Sequence, residues 1–170
     1  MSLFLPIAIV LIAVALYLTT RTTAQKGVHR TFKLEPGRYK LIGSDLGGES
    51  KSIMLTHSGI GGVPDAIFED RKKPRIIVGE YKARLMKRGP RPREYYQVIL
   101  YIGIAKLRWP QHEVVGLISY RDKTVWIYHD QRAFQGLVDL KPEAVRSIRA
   151  KKAANPTPLH KRIPIKIPVR

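Results

Sequence analysis

Residues 63–69 (VPDAIFE) and 74–82 (PRIIVGEYK) are two β-rich runs joined by a short charged segment, a pattern that predicts an antiparallel hairpin. Counting outward from Lys72 and Lys73 opposes 71 with 74 and 70 with 75, and hence Asp65 with Glu80. Two further runs, residues 38–44 (RYKLIGS) and 51–57 (KSIMLTH), read as strands, separated by the turn-rich DLGGES. From 94 to 107 apolar and aromatic residues recur at three and four, which predicts a helix carrying Gln97 and Tyr101 on one face. Residues 113–121 and 124–129 form a second hairpin around Asp122 and Lys123, with Trp126 assigned to core packing. Residues 131–150 are helical behind an Asp130 cap, with an interruption at Lys141-Pro142.

The ends of the chain follow other patterns. Residues 3–18 (LFLPIAIVLIAVALYL) carry no charge, and as a helix they measure about 24 Å against a hydrocarbon core of ~30 Å, with polar neighbours to extend them. No Lys or Arg precedes this stretch, whereas Arg21, Lys26 and Arg30 follow it. A single transmembrane helix at 1–20 is therefore expected, its N-terminus outside and the rest cytoplasmic at the cell membrane. The rivals are a cleaved signal peptide ending near Thr22 and Ala24, against which stands the missing positive leader, and a buried core helix. Residues 21–37 show no sustained period and read as a juxtamembrane linker. They are followed by a domain at 38–140 and a basic, Pro-rich tail at 141–170.

Charge narrows the choice of partner. The 170 residues carry 31 Lys or Arg against 13 Asp or Glu, a net +18, which favours polyanions: nucleic acid first, an anionic membrane surface second. Residues 84–93 hold Arg84, Lys87, Arg88, Arg91 and Arg93 and no acid, a composition suited to neutralising phosphates. The tail has nine Lys or Arg against one acid, Glu143, and prolines at 156, 158, 164 and 168 bar a regular helix near its end. It reads either as a disordered arm touching DNA or anionic lipid, or as a strap lying across the domain. The absence of cysteine excludes disulfides, zinc-thiolate sites and iron-sulfur clusters.

The first hairpin is where chemistry is expected. Carboxylates opposed across an antiparallel pair repel unless something neutralises them, and a divalent cation does so. Glu80 and Lys82 are two apart and share a face; Tyr81 points to the other and leaves its carbonyl as a ligand. Oxygen donors of this kind suit Mg²⁺, with Mn²⁺ as a substitute.

The order Pro64-Asp65, then Glu80-x-Lys82, then Gln97-x-x-x-Tyr101 resembles the PD-(D/E)xK nuclease superfamily, in particular its RecB-like branch, which includes CRISPR-associated adaptation exonucleases. The likeness covers roughly residues 38–130. It implies an α/β fold with a restriction-endonuclease-like core, a central mixed sheet flanked by helices. It also implies a metal-dependent deoxyribonuclease, with RNA not excluded as substrate. Asp65, Glu80 and Lys82 would be catalytic; Asp65, Glu80 and the Tyr81 carbonyl would hold Mg²⁺; Gln97 and Tyr101 would contact the metal site or the DNA backbone. His57 and Glu49 are both candidates for an upstream ligand, and spacing does not choose between them. The superfamily opens with a helix before its first strand, which either the 21–37 segment supplies or this chain has lost. Many RecB-like members have cluster-binding cysteines that this chain lacks. The alternative function is a non-catalytic module that binds nucleic acid or anionic lipid at the membrane.

Overall fold

A computed structural model describes residues 12, 14, 25–46 and 50–165. Its frame is a five-stranded mixed sheet in the order β1-β4-β5-β6-β7, built from Tyr39–Ser44 (β1), Ala66–Asp70 (β4), Arg75–Lys82 (β5), Glu113–Tyr120 (β6) and Thr124–Ile127 (β7). The β4–β5 hairpin has the expected register, with Ala66 opposite Gly79 and Asp70 opposite Arg75. Asp70 sets the turn: its buried carboxylate accepts from the Lys72 N–H and pairs with Arg38 at 2.9 Å. Strands β5 and β6 are parallel and joined by a long crossover helix, α2 (Pro92–Arg108), the connection a parallel pair requires.

The sheet divides the core in two. Ile67, Ile76, Val78, Val114 and Ile118 pack under Val98, Ile99 and Ile102 of α2. Ala66, Phe68, Ile77, Val115 and Leu117 face the other way, against Val28, Phe32 and Leu34. Those last residues correct one expectation. Residues 25–32 are a helix (α1), and Phe32 is fully buried, so this part of the 21–37 segment is core rather than linker. Only Val28 and Phe32 mark its apolar face, too few for a period to stand out. The helix approaches β5 closely: a Cβ on Gly79 would lie 2.6 Å from the Phe32 ring.

Two other expectations change. The run at 51–57 yields only a short strand, Leu55–His57 (β2), which pairs with Ile60–Gly62 (β3) in a separate two-stranded sheet beside α2 instead of joining the central one. The tail is a strap through residue 165. After α3 (Gln131–Asp139), α4 (Lys141–Ala150) breaks from it at Lys141-Pro142 as expected, and a short α5 (Leu159–Arg162) follows. Arg162 pairs with Glu143 through two bonds of 2.7 and 2.6 Å, and the Tyr96 hydroxyl donates to the Ile163 carbonyl at 2.7 Å. Buried Ile163 supplies the apolar anchor that makes docking worth the lost chain entropy.

The expected transmembrane stretch, residues 3–18, lies outside the described residues apart from Ile12 and Val14. Among the described residues no helix is long and apolar enough to cross a membrane. Residues 166–170 and Glu49 also fall outside them.

Candidate active site

The site forms at the end of the hairpin farthest from its turn. Asp65 lies one residue beyond the last β4–β5 pair, Ala66 with Gly79, and its side chain reaches β5, where the Tyr81 N–H donates to Asp65 Oδ2 at 2.6 Å. The backbone of Asp65 is held as well, its carbonyl accepting from the Asp45 N–H and the Ser44 hydroxyl, both at 2.9 Å. Tyr81 turns to the opposite face and packs against the α1 cluster.

Glu80, 4% exposed, is the centre of the polar network. Its Oε1 accepts from Lys82 Nζ at 2.7 Å and from Gln97 Nε2 at 2.8 Å. Gln97 reaches back, its Oε1 accepting from Lys82 Nζ at 3.4 Å, and contacts the Tyr101 hydroxyl at 3.4 Å. Tyr101 in turn donates to the Val63 carbonyl at 3.3 Å, tying α2 to the segment that carries Asp65. Gly62 makes room for it, since a Cβ there would come within 2.8 Å of the Tyr101 ring and hydroxyl. Five of the expected residues, Asp65, Glu80, Lys82, Gln97 and Tyr101, thus meet in one place.

The electrostatics are out of balance. Two neighbouring carboxylates share one ammonium, and Glu80 Oε2 is buried without a hydrogen-bond partner, a costly arrangement for a charged group. Burial pushes the Glu80 carboxyl up, and the charge of Asp65 pushes it further, against the opposing pull of Lys82 and Gln97. Burial raises Asp65 too, only partly offset by the Tyr81 N–H and Lys82.

A stability prediction follows from the direction of these shifts. A carboxyl whose pKa is raised by folding favours the folded chain below its ordinary pKa, and that contribution is lost as pH rises through the raised value. In EDTA at pH 8, Asp65→Asn should therefore be more stable than the wild-type chain, by about 1 kcal/mol or ~2–4 °C in a chain of this size. The gap should close on acidification through the raised pKa. Thermal unfolding of both full chains at pH 5 and pH 8 reads it directly; an Asp65→Asn chain less stable at pH 8 contradicts it.

Several candidates stand elsewhere. His57 lies on β2 with its ring 6.5 Å from that of Phe134 and its Nε2 3.1 Å from the Ser58 hydroxyl, so it does not join Asp65 and Glu80. Among the described residues no group of three or more His, Asp or Glu side chains gathers as a metal site; the two acids would need backbone oxygen or water to complete a shell. Arg84 is no free phosphate ligand. It binds Glu94 through two bonds of 3.2 and 2.7 Å and lies over the Tyr120 ring at 4.8 Å. Lys87, Arg88, Arg91 and Arg93 are exposed.

Glu94 is a structural centre that sequence pattern does not single out. Besides Arg84, its Oε2 accepts from the Arg91 N–H and from the Tyr120 hydroxyl, both at 2.8 Å. Burial pushes its carboxyl up, but Arg84 and the two further donations, from the Arg91 N–H and the Tyr120 hydroxyl, outweigh this and leave it below the usual range. Ser44 and Asp45 were also missed, because their contact with Asp65 is a strand-end bond that spacing does not encode. A cleft of about 530 Å³ opens beside Gln97 and Tyr101, lined further by Arg93, Tyr96, Leu100 and His160.

No family model matches the chain, and no curated protein does. Among solved structures, the crystal structure of SSO0001 aligns at 18% identity over 79% of this chain, with a TM-score of 0.40. The chain spans 59% of the length of that protein.

Proposed function

We propose that the protein is a metal-dependent nuclease with a restriction-endonuclease-like core of the PD-(D/E)xK type, hydrolysing phosphodiester bonds of DNA. The observation that carries this reading is the buried, half-partnered Glu80 carboxylate beside Asp65 and Lys82. Two adjacent acids with an unsatisfied oxygen and a single ammonium form a site that gains from a divalent cation, and hard oxygen donors fit Mg²⁺ or Mn²⁺. Asp65, Glu80 and the Tyr81 carbonyl would hold it. When bound, such a cation polarises the scissile phosphate and lowers the pKa of the attacking water.

The chain's own residues do the rest. Lys82, anchored by Glu80 and Gln97, presents a fixed positive charge where negative charge develops on the phosphate during attack. Its geometry is set before substrate arrives, so little reorganisation is needed. Gln97 holds acid and ammonium in register, and Tyr101 clamps Gln97 to the Asp65 segment. Arg91 and Arg93 are exposed at the start of α2, the helix that carries Gln97 and Tyr101, and Arg93 lines the cleft beside them; there they would neutralise backbone phosphates.

The apolar stretch at 3–18, with Arg21, Lys26 and Arg30 behind it, is read as a membrane anchor that keeps the domain on the cytoplasmic face. The test of the whole reading is incubation of the purified full chain with end-labelled linear, circular and single-stranded DNA, in Mg²⁺ and in EDTA. Mg²⁺-dependent breakdown of any of these supports it; intact substrate throughout, with DNA still bound, leaves a binding module in its place.

A further inference from the structure

A second cleft, of about 650 Å³, lies between the loop that follows β5 and the edge strand β7. Lys87, Arg88 and Lys123 border it, Trp126 and Tyr128 form its aromatic side, and no acidic residue lines it. Trp126 and Tyr128 are two apart along an extended segment and so stand on the same side. Tyr128 is 63% exposed, and Trp126 is half-buried, its inner edge against the α1 cluster. The loop is pinned in place: the Met86 N–H donates to Asp122 Oδ1 at 2.9 Å and the Arg121 N–H to the Arg84 carbonyl at 3.3 Å.

We propose that this cleft binds single-stranded nucleic acid, with bases stacked on Trp126 and Tyr128 and phosphates met by Lys87, Arg88 and Lys123. Ring faces flanked by cations, without acids, match what a flexible polyanion with flat apolar bases presents, and a duplex keeps those bases stacked out of reach. Position supports the assignment, which rests on the nuclease reading of the neighbouring site. Lys82 pairs with Tyr120 across β5 and β6, and Ser119 with Thr124 across β6 and β7. The start of β7 is therefore two strand spacings, about 10 Å, from the end of β5. That is short against the roughly 4–16 nucleotides a single-strand groove takes. Trp126 stands on the α1 side of the sheet and Lys82 on the α2 side, so a strand held in the cleft would pass around this end of the sheet to reach the active site.

Trp109 and Trp126 are the chain's two tryptophans, so the full-length Trp109→Phe variant reports on Trp126 alone. Titrated in EDTA with a dT 12-mer, its emission is expected to quench saturably. Tyr128→Ser, at an exposed position, should weaken 12-mer affinity about fivefold or more. Replacing Lys87 and Arg88 with Ala should lower the slope of log affinity against log salt by about 0.7 for each residue. Unchanged Trp126 emission while a labelled 12-mer demonstrably binds would overturn the proposal. So would equal affinity for a 12-bp duplex that Tyr128→Ser leaves untouched, or quenching by phosphatidylglycerol vesicles but not by the 12-mer. Cleavage in Mg²⁺ without quenching sinks this inference alone, whereas quenching without cleavage sinks only the nuclease reading.

Discussion

Lys82→Ala will lower Mg²⁺-dependent cleavage of DNA by about 100- to 1,000-fold or more while sparing its binding. The size follows from removing one preorganised charge aimed at a transition state. Lys82 Nζ lies 2.7 Å from Glu80 Oε1, so the substitution also leaves that oxygen with Gln97 alone and drives the raised Glu80 carboxyl further toward its protonated form. Both effects act on the reaction. On the proposed reading binding persists because the exposed Lys87, Arg88, Arg91 and Arg93 would supply the salt-dependent affinity, and one ammonium would change it by no more than about one phosphate contact. Single-turnover cleavage and anisotropy of a labelled substrate, measured on the same preparation, separate the two. Full-rate cutting by Lys82→Ala contradicts the role given to it.

Glu94→Ala will be the most destabilising single change in the polar framework, though Glu94 touches neither acid of the site. One buried carboxylate receives Arg84, the Arg91 N–H and the Tyr120 hydroxyl, and so joins the basic loop, the start of α2 and the end of β6. Breaking a buried ion pair from one side costs about 3–5 kcal/mol. Arg84 keeps 27% of its side-chain exposure, which favours the lower end and a fall in Tm of ~10 °C. Glu94→Gln retains acceptors for the amide and the hydroxyl and should lose less. Thermal unfolding of both variants tests this ordering; a neutral Glu94→Ala would mean that Arg84 finds water as good a partner.

The hairpin and its acids were legible in sequence because the turn is short and charged, so counting from Lys72 and Lys73 gives the observed register directly. Gln97 and Tyr101 were legible for a similar reason: helical spacing places i and i+4 on one face whatever the surroundings. What escaped depends on tertiary partners. Phe32 is buried because Gly79 leaves it a space, and nothing within 25–32 announces that. Arg84 looks like its neighbours in a basic loop and is distinguished only by Glu94. The tail's strap is fixed by Ile163 and the Arg162–Glu143 pair, partners nineteen residues apart in that pair and farther for Tyr96. His57 stands apart from the two acids because its strand pairs with Ile60–Gly62 and places its ring beside that of Phe134.

The raised carboxyls of Asp65 and Glu80 carry a stability cost at neutral pH that a cation, on the proposed reading, would remove. Function and fold therefore pull in opposite directions at Asp65, a trade-off common where charges are held ready for chemistry. The most direct test is titration of the full chain with Mn²⁺ followed by electron paramagnetic resonance. The account predicts that the wild-type chain depletes the free-ion signal at pH 8 and that Asp65→Asn and Glu80→Gln each weaken binding by about tenfold or more. Undiminished Mn²⁺ binding in both variants, or none in the wild-type chain, would contradict it.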